Sequence, residues 1–247
     1  MKFDILTLFP EMFAPIRASM TGRAEKNGLL EFNIVNIRDF SQDKHKKTDD
    51  TPFGGGHGMV MMTDPIFRAL KSVGANKRVI YMSPRGKILD RAEIEELSQE
   101  DELVILCGHY EGVDQRVLDH FDVEEISVGD YILTGGELPA MILIDSVARL
   151  SPGVLAKDEA VMDESVYSGL LEYPQYTQPR EYEGLEVPEV LLNGNHQLID
   201  EWKFEQSLRL TRERRPDLFE KYLSEHGGKD SDLSKRYRRI LAEIADL

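Results

Sequence analysis

Cysteine is almost missing from this chain of 247 residues: Cys107 stands alone, so no disulfide can form within the chain. Disulfides are common in small secreted domains, and a chain without them suits a reducing compartment. No Cys/His cluster has the spacing of a zinc site, and no apolar run approaches the roughly 20 residues that a membrane span requires. The first residues lack the apolar stretch and cleavage site of a signal peptide. These absences predict a cytoplasmic protein with no zinc site and no membrane anchor.

Positive charge is also scarce, because 30 Lys and Arg residues face 45 Asp and Glu residues, a formal net charge of −15 at pH 7. Such a balance argues against simple, non-specific binding of nucleic acid. The basic residues near the C-terminus nevertheless form two clusters, Arg209, Arg212, Arg214 and Arg215, and Lys235, Arg236, Arg238 and Arg239. Each cluster is either a solvated helix surface or a local phosphate-contacting surface, and both interpretations stay open here.

Short apolar runs of strand length alternate with helical patterns over the first part of the chain. Residues 103–107 form a dense apolar run that predicts a buried strand. Residues 11–25 and 137–150 have helical spacing, and the second segment is apolar enough to be mostly buried. Residues 78–82 predict another strand, followed by a turn over residues 83–86. The alternation predicts an α/β fold with a mostly parallel sheet and flanking helices.

The alternation ends near Pro152, and the chain beyond it has a different character. Residues 157–164 are polar and acidic without a clear period, and helical patterns return only after His196. We therefore predict a main domain over residues 1–156, an interdomain linker over 157–172 and a small C-terminal helical domain over 173–247.

Three glycine-rich segments stand out, at residues 52–59, 107–114 and 127–137. The second and third follow predicted strands, and ligands bind at the carboxyl ends of the strands in open α/β sheets. The first is neither a Walker phosphate loop nor a dinucleotide fingerprint. Taken alone, each segment is equally compatible with an ordinary turn, for example one in which Asp114 caps a helix. Together they predict a backbone-lined pocket that suits an adenine ring, without naming a reaction.

The amino-acid sequences of these segments closely resemble those of the bacterial tRNA (guanine-N1)-methyltransferase family, within the knotted class called SPOUT. The resemblance runs nearly from end to end, and each segment alone is modestly specific. The matching segments are residues 3–10, 54–56, 81–84, 108–112, 129–137, 152–155, 169–171 and 194–196.

The resemblance implies a deep trefoil knot in the sheet, a fold that sequence patterns alone would not predict. It implies binding of S-adenosylmethionine in the knot loops and methyl transfer to N1 of the guanosine at position 37, immediately 3′ of the anticodon in tRNA. It also implies an obligate homodimer with each active site between two subunits, and tRNA contacts by the C-terminal domain. Some members of the family need Mg²⁺, and this sequence shows no dedicated metal-binding motif.

The residues that match the family's cofactor site lie in three of the resembling segments. They are Tyr81, Pro84, Gly108, Tyr110, Glu111, Val128, Gly129, Asp130, Tyr131, Ile132, Leu133, Gly135 and Gly136.

The resemblance further implies a catalytic arginine and a general base. The family's arginine follows the apolar helix, and its match is Arg149, which would stabilise negative charge on guanine O6. The family's base is an aspartate directly before a serine. Here Glu164 holds that place, before Ser165, with Asp163 beside it. Both carboxylates are therefore candidates for the base.

Three functions stay open at this stage. An S-adenosylmethionine-dependent tRNA methyltransferase comes first. A nucleotide-binding oxidoreductase is compatible with the glycine-rich loops, although no fingerprint supports it. A non-catalytic RNA-binding protein of the same fold is the third, because Glu164 replaces the family's aspartate.

Overall fold

Parallel strands form the central sheet of the N-terminal part of the chain in the computed structural model, which describes residues 1–74, 77–155, 165–228 and 233–246. Among these residues the strands of this part are β1 Lys2–Thr7, β2 Glu31–Asn36, β3 Asp49–Asp50, β4 Val60–Met61, β5 Val79–Ile88, β6 Glu102–Cys107 and β7 Glu124–Ser127. The described sheet has five strands in the order β2-β1-β6-β5-β7, and every pairing in it is parallel. The prediction of a mostly parallel α/β sheet is therefore confirmed.

The central strands are apolar on both faces, as a parallel sheet covered by helices on each side requires. In β6, the side chains of Leu103, Ile105 and Cys107 join one core, while those of Val104 and Leu106 join the other. Successive side chains of a strand point to opposite faces, so one continuous apolar run serves both cores.

Helices cover both faces of the sheet. The α-helices of this part are α1 Ser19–Lys26, α2 Thr63–Val73, α3 Arg91–Leu97, α4 Gln115–Phe121 and α5 Glu137–Ala148. Helix α5 supplies Leu143, Ile144 and Val147 to the first core, and α2 and α4 supply Ile66 and Val117 to the second. Because helices cover both faces, the loops that connect strands to helices lie at the ends of the strands.

The single helix expected over residues 11–25 is wrong, because two helical segments occupy this region. A 3₁₀ helix runs over Pro10–Arg17, and α1 begins at Ser19 after a break at Ala18, whose backbone is extended. Pro15 has no backbone N–H to continue the helical ladder, and Ser19 takes a positive φ of 52°. The chain therefore turns between the two segments.

The turn expected at residues 83–86 is also wrong, because β5 continues through it to Ile88. The pairing of β5 with β7 shifts register between Met82 and Lys87, which is the mark of an irregular, bulged strand. A Cβ atom on Gly86 would collide with the backbone of Glu125, so only glycine permits this close approach. The irregularity places Ser83 and Pro84 at the sheet edge rather than in the ladder.

The second compact unit is helical. By the packing of its backbone the chain divides into Met1–Asp158 and Glu159–Leu247. The elements described in the second unit are β8 Glu181–Tyr182, β9 Leu185–Glu186, a 3₁₀ helix Glu189–Leu192, and α6 His196–Arg214, α7 Pro216–His226 and α8 Lys235–Ala245. Its core contains Leu170, Leu208, Phe219, Tyr222, Leu241 and Ile244.

Part of the segment expected to be a linker packs within this second unit. Leu170 is buried in the helical core, and the backbone N–H of Leu171 donates to the Thr211 hydroxyl over 2.8 Å. Residues 157–164, the first part of that segment, lie outside the residues that the structure describes. No helix in the described ranges has the length and apolar character needed to cross a membrane.

One buried carboxylate ties the sheet to two lysines. Asp4, on β1, is 0% exposed and accepts hydrogen bonds from Asn33 over 2.6 Å and from Lys77 over 3.0 Å. Lys2 lies 3.3 Å from the same carboxylate. Burial raises the pKa of Asp4, but the bonds from Asn33, Lys77 and Lys2 outweigh it and hold the pKa below its ordinary value.

We expect Asp4→Asn to lower the free energy of unfolding at pH 7 by about 1–3 kcal/mol, because Lys77 and Asn33 lose a charged acceptor. The depressed pKa makes this contribution fully present above the unfolded pKa of about 3.9 and lost as pH falls through the lower folded value. The difference between wild type and variant should therefore shrink below about pH 4. Urea unfolding from pH 7 to pH 3 measures it.

The matched control is Asp39→Asn, which removes an exposed pair with Lys46. Exposed pairs contribute about 0–1 kcal/mol, so this variant should stay close to wild type. A loss at Asp4 that is equally large at pH 3 and pH 7 would contradict the proposed role of its charge.

Candidate active site

The irregular middle of β5 and the carboxyl ends of β6 and β7 surround one open pocket with a cavity volume of about 250 Å³. The loops that follow β6 and β7 line it, together with the first turn of α5. The lining residues are Tyr81, Met82, Ser83, Pro84, Gly108, His109, Tyr110, Glu111, Gly112, Ile126, Ser127, Val128, Gly129, Tyr131, Ile132, Leu133, Thr134, Gly135, Gly136 and Pro139. Backbone peptide groups therefore form much of the wall.

Two of these loops touch through their backbones. The N–H of Gly136 donates to the carbonyl of Gly108 over 2.8 Å. A Cβ atom on Gly136 would lie 2.8 Å from the Cα of Cys107, and one on Gly108 would lie 2.6 Å from the Tyr81 ring. Glycine at position 136 is therefore required for the loops to approach this closely, and glycine at position 108 leaves room for the Tyr81 ring.

A series of buried hydrogen bonds through Thr7, Glu137 and His109 holds these loops in position. Glu137, the first residue of α5, is 1% exposed, and its Oε1 accepts a 2.7 Å hydrogen bond from the Thr7 hydroxyl. Its Oε2 lies 2.9 Å from Nε2 of His109. Thr7 also accepts a hydrogen bond from the N–H of Phe9 over 2.9 Å. These hydrogen bonds link the end of β1, the loop after β6 and the start of α5.

The glycine-rich loop of residues 52–58 reaches the pocket rim. The N–H of Glu111 donates to the carbonyl of Met59 over 2.9 Å, and the N–H of Met61 donates to the carbonyl of Gly112 over 2.9 Å. Gly58 lies so close to the Glu111 side chain that a Cβ atom there would overlap it. The first glycine-rich segment therefore lies beside the second.

Twelve of the thirteen residues expected to hold a cofactor line this pocket, and Asp130 does not. Sequence reasoning missed His109, Ser127 and Thr134, which also line it. Glycine motifs drew attention to the loops, but the partners of His109 come from distant positions. The only available signal was the polar His109 inside the second motif.

Burial keeps two groups of this region neutral. Burial, and secondarily the charge of Glu125, raises the pKa of Tyr81. Burial, with a smaller contribution from Glu137, raises the pKa of the Cys107 thiol well above its ordinary value. A protonated, fully buried thiol is a poor nucleophile, so Cys107 does not serve covalent chemistry.

Arg149 does not lie at this pocket. Gly136 at the start of α5 lines the pocket, whereas Arg149 follows the last residue of this 12-residue helix, which is about 18 Å long at 1.5 Å per residue. Arg149 instead lines a second cavity, together with Ile16, Ser19 and Met20. One chain therefore does not bring the expected arginine and the expected cofactor residues together.

The two carboxylates expected to act as the base, Asp163 and Glu164, lie outside the described residues. In the described ranges, no group of three or more His, Cys, Asp or Glu side chains could hold a metal ion.

The C-terminal arginines are largely committed to neighbours inside the second unit. Arg212 donates to the carbonyl of Ile244 over 2.6 Å, joining α6 to the end of α8. Arg215 pairs with Asp217 over 2.6 Å. Removing Arg212 would therefore disturb the packing of two helices, and its loss could not be read as the loss of a phosphate contact alone.

The family comparison matches residues 1–221 to the family described as tRNA (Guanine-1)-methyltransferase TrmD. A relative named tRNA (guanine-N(1)-)-methyltransferase from Ruminiclostridium cellulolyticum is 58% identical over 226 residues, covering 90% of this chain and 97% of the relative. A relative of the same name from Alkaliphilus oremlandii is 53% identical and covers 99% of this chain and 98% of its own length. Another from Desulforamulus reducens is 50% identical, covering 100% and 96%. The match spans the sheet, the pocket loops and most of the helical unit, and the chain belongs to the tRNA (guanine-1)-methyltransferase family.

Proposed function

We propose that this chain transfers a methyl group from S-adenosylmethionine to N1 of the guanosine at position 37 of tRNA, immediately 3′ of the anticodon. The observation that carries the proposal is the pocket formed by the irregular middle of β5 and the carboxyl ends of β6 and β7, in a chain of a tRNA methyltransferase family. The name of the relatives supports guanine N1 as the methylated atom.

The residues of the pocket fit S-adenosylmethionine. Peptide groups of the loop that precedes α5, at Leu133 and Gly135 among others, offer donors and acceptors that can read the edge of an adenine ring. Ile132 is 79% exposed at the wall, an apolar surface that a bound ring would cover. The carboxylate of Glu111 at the rim suits a positively charged ligand. When bound, the cofactor supplies a methyl group on a cationic sulfur.

We also propose the deep trefoil knot of the SPOUT class for the first unit and tRNA contacts for the second. The return of the chain at Gly136 to the backbone of Gly108 supports a crossing of these two loops. The second unit carries the basic clusters of an otherwise acidic chain, which supports a role in holding RNA.

The protein side chains have two tasks in this reaction. The N1 proton of guanine must leave as the new N1–methyl bond forms, and negative charge on O6 must be stabilised. We assign the first task to Glu164, with Asp163 as the alternative, and the second to Arg149. Guanine N1 is a weaker acid than a carboxylic acid, so proton removal must be concerted with methyl transfer or aided by the arginine.

The position of Arg149 favours a homodimer with shared sites. Because the arginine and the pocket lie at opposite ends of α5, a second copy must deliver the arginine to each pocket. Leu138 and Ile142 are half-exposed apolar side chains on α5, which supports this helix as part of the interface.

We expect the purified chain to methylate unmodified tRNA with guanosine at position 37 and to leave a transcript with adenosine there unmethylated. Glu164→Gln keeps size and hydrogen bonding but removes basicity, so it should lower the single-turnover rate by about a hundredfold. Asp163→Asn should change the rate much less, because adjacent residues of an extended segment point in different directions. Quenched-flow methylation with labelled cofactor measures all three.

Loss of activity in Asp163→Asn alone would move the base to Asp163 and leave the function intact. Full activity in both variants would remove the carboxylate from the mechanism. A wild-type chain that binds tRNA but transfers no methyl group would instead be the non-catalytic RNA-binding protein.

Gly129→Leu should weaken S-adenosylmethionine binding by about tenfold or more, equivalent to at least about 1.4 kcal/mol. A side chain at Gly129 would strike the Tyr131 ring, which is half-exposed in the pocket wall and can move without disturbing the core. Isothermal titration calorimetry measures the affinity, and circular dichroism confirms folding.

Gly184→Leu is the matched control, because Gly184 also has a positive φ but has no heavy atom near its Cβ position and lies in the helical unit. Equal cofactor affinity in wild type and Gly129→Leu would exclude this loop from the cofactor site.

Mixing Gly129→Leu chains with Arg149→Ala chains tests the shared site. At a cofactor concentration well below the Kd of the wild-type site, we expect Gly129→Leu alone to keep about a tenth of the activity or less and Arg149→Ala alone to be nearly inactive, but a mixed dimer has one site with both wild-type parts. If half of the dimers are mixed, about a quarter of all sites recover activity. Co-expression with two affinity tags isolates the mixed dimers, and methylation of tRNA measures them.

An inactive mixed dimer would show that the pocket and its arginine belong to the same chain. A fully active monomer in sedimentation would exclude the dimer altogether.

A further inference from the structure

Phe53, on the glycine-rich loop that reaches the pocket rim, has a fully solvent-exposed side chain. The N–H of Gly55 donates to the carbonyl of Pro52 over 3.3 Å and closes a four-residue turn. Phe53 is the first central residue of this turn, and Gly54 is the second, with a φ of 86°. Such a turn directs its corner side chain outward. Phe53 is accordingly 99% exposed.

The turn is held against the rim of the pocket rather than on a remote surface. The strand that follows it is tied to the loop after β6 by the bonds between Met59 and Glu111 and between Met61 and Gly112. Gly58 lies against the side chain of Glu111, which lines the pocket. The Phe53 ring therefore lies on a loop anchored next to the methyl-transfer site.

The surroundings of the ring suit a flat ligand. No heavy atom lies within 4 Å of the Cβ positions of Gly54 and Gly55, so both sides of the turn are open. Single exposed apolar side chains are ordinary on protein surfaces, and exposure alone would carry nothing. A wholly uncovered aromatic ring at the rim of a nucleotide-modifying site is different, because every nucleobase has a face that stacks on it.

Basic residues precede the same turn. Lys46 and Lys47 lie on the stretch that enters β3, where they pair with Asp39 over 2.7 Å and with Asp50 over 3.1 Å. Over residues 43–50 three Lys and three Asp balance, so this stretch is neutral, whereas the first 200 residues as a whole are acidic. An RNA backbone that approaches along this stretch is repelled less than elsewhere on the acidic part of the chain, which favours RNA over an apolar protein segment as the occupant beside the ring.

We propose that Phe53 is a stacking platform for a nucleobase next to the methylated guanine. The inference rests on the proposed function, since it assigns a contact of the same RNA substrate. Stacking on the ring holds the neighbouring base and so fixes where the target guanine enters the pocket. The ring touches no cofactor residue directly, and it therefore acts on RNA binding and not on cofactor binding.

The experiment compares Phe53→Leu with Phe53→Trp. Leucine keeps much of the apolar surface but has no flat face, whereas tryptophan keeps the face. The probe is an anticodon stem-loop RNA that carries 2-aminopurine beside the target guanosine, because stacking quenches the fluorescence of this base. Methylation of full tRNA is measured in parallel. Ile88→Ala, at another exposed apolar side chain of the first unit that does not line the pocket, is the control.

Because the variant loses the face on which the base stacks, Phe53→Leu should raise the KM for tRNA by about tenfold and abolish the quenching. Phe53→Trp should restore both, and the affinity for S-adenosylmethionine should stay unchanged in every variant. The salt dependence of RNA binding should also be unchanged, since no charge is removed.

Unchanged quenching and KM in Phe53→Leu would overturn the proposal. Equal effects of Leu and Trp would show that the loop shape matters and the ring face does not, which also overturns it. A shift in the dimer dissociation constant would identify a second copy of the chain as the occupant. A wild-type chain that quenches the probe but methylates nothing would sink the proposed function and leave the stacking contact intact.

Discussion

The close backbone approach of two loops at Gly108 and Gly136 is the constraint on which the pocket depends. The 2.8 Å hydrogen bond between their peptide groups brings the loop after β6 against the start of α5. A side chain at Gly136 would strike the backbone of Cys107 and Gly108 and push the loops apart. Because peptide groups form the contact between these two loops, its geometry depends on the chain path and on the absence of a side chain at Gly136.

The buried chain of Thr7, Glu137 and His109 keeps that approach in place. A carboxylate with 1% exposure is costly unless its oxygens find partners, and here one oxygen accepts from Thr7 and the other lies beside His109. The three residues come from three different elements of the fold. These hydrogen bonds thus make the position of His109 in the pocket depend on the packing of β1 against α5. None of the three residues is expected to touch the transferred methyl group.

The sequence predicted the parts of the fold that depend on local pattern. Residues 103–107 became a buried strand because their apolar run serves both cores, and residues 137–150 became α5 because apolar residues surround the helix. The prediction was wrong where pairing with a distant strand overrode the local pattern. Pro84 and Gly86 are typical of a turn, yet β5 continues beyond them because it pairs with β7 there. The Glu137–His109 contact could not be predicted, because nothing in the sequence marks partners 28 positions apart. The family resemblance predicted which residues line the pocket. Only the structure shows that α5 separates Arg149 from them, because the pocket lies at one end of this helix and Arg149 at the other.

The lone cysteine gives this protein a built-in reporter of its own pocket floor. Cys107 is wholly buried at the end of β6, with its Cα directly against Gly136, and its thiol is held protonated. A thiol reagent in solution can reach it only when the end of β6 separates from the start of α5. The rate of its labelling therefore measures local opening where the loop after β6 meets the start of α5, with no background from other thiols, since the chain contains no other cysteine.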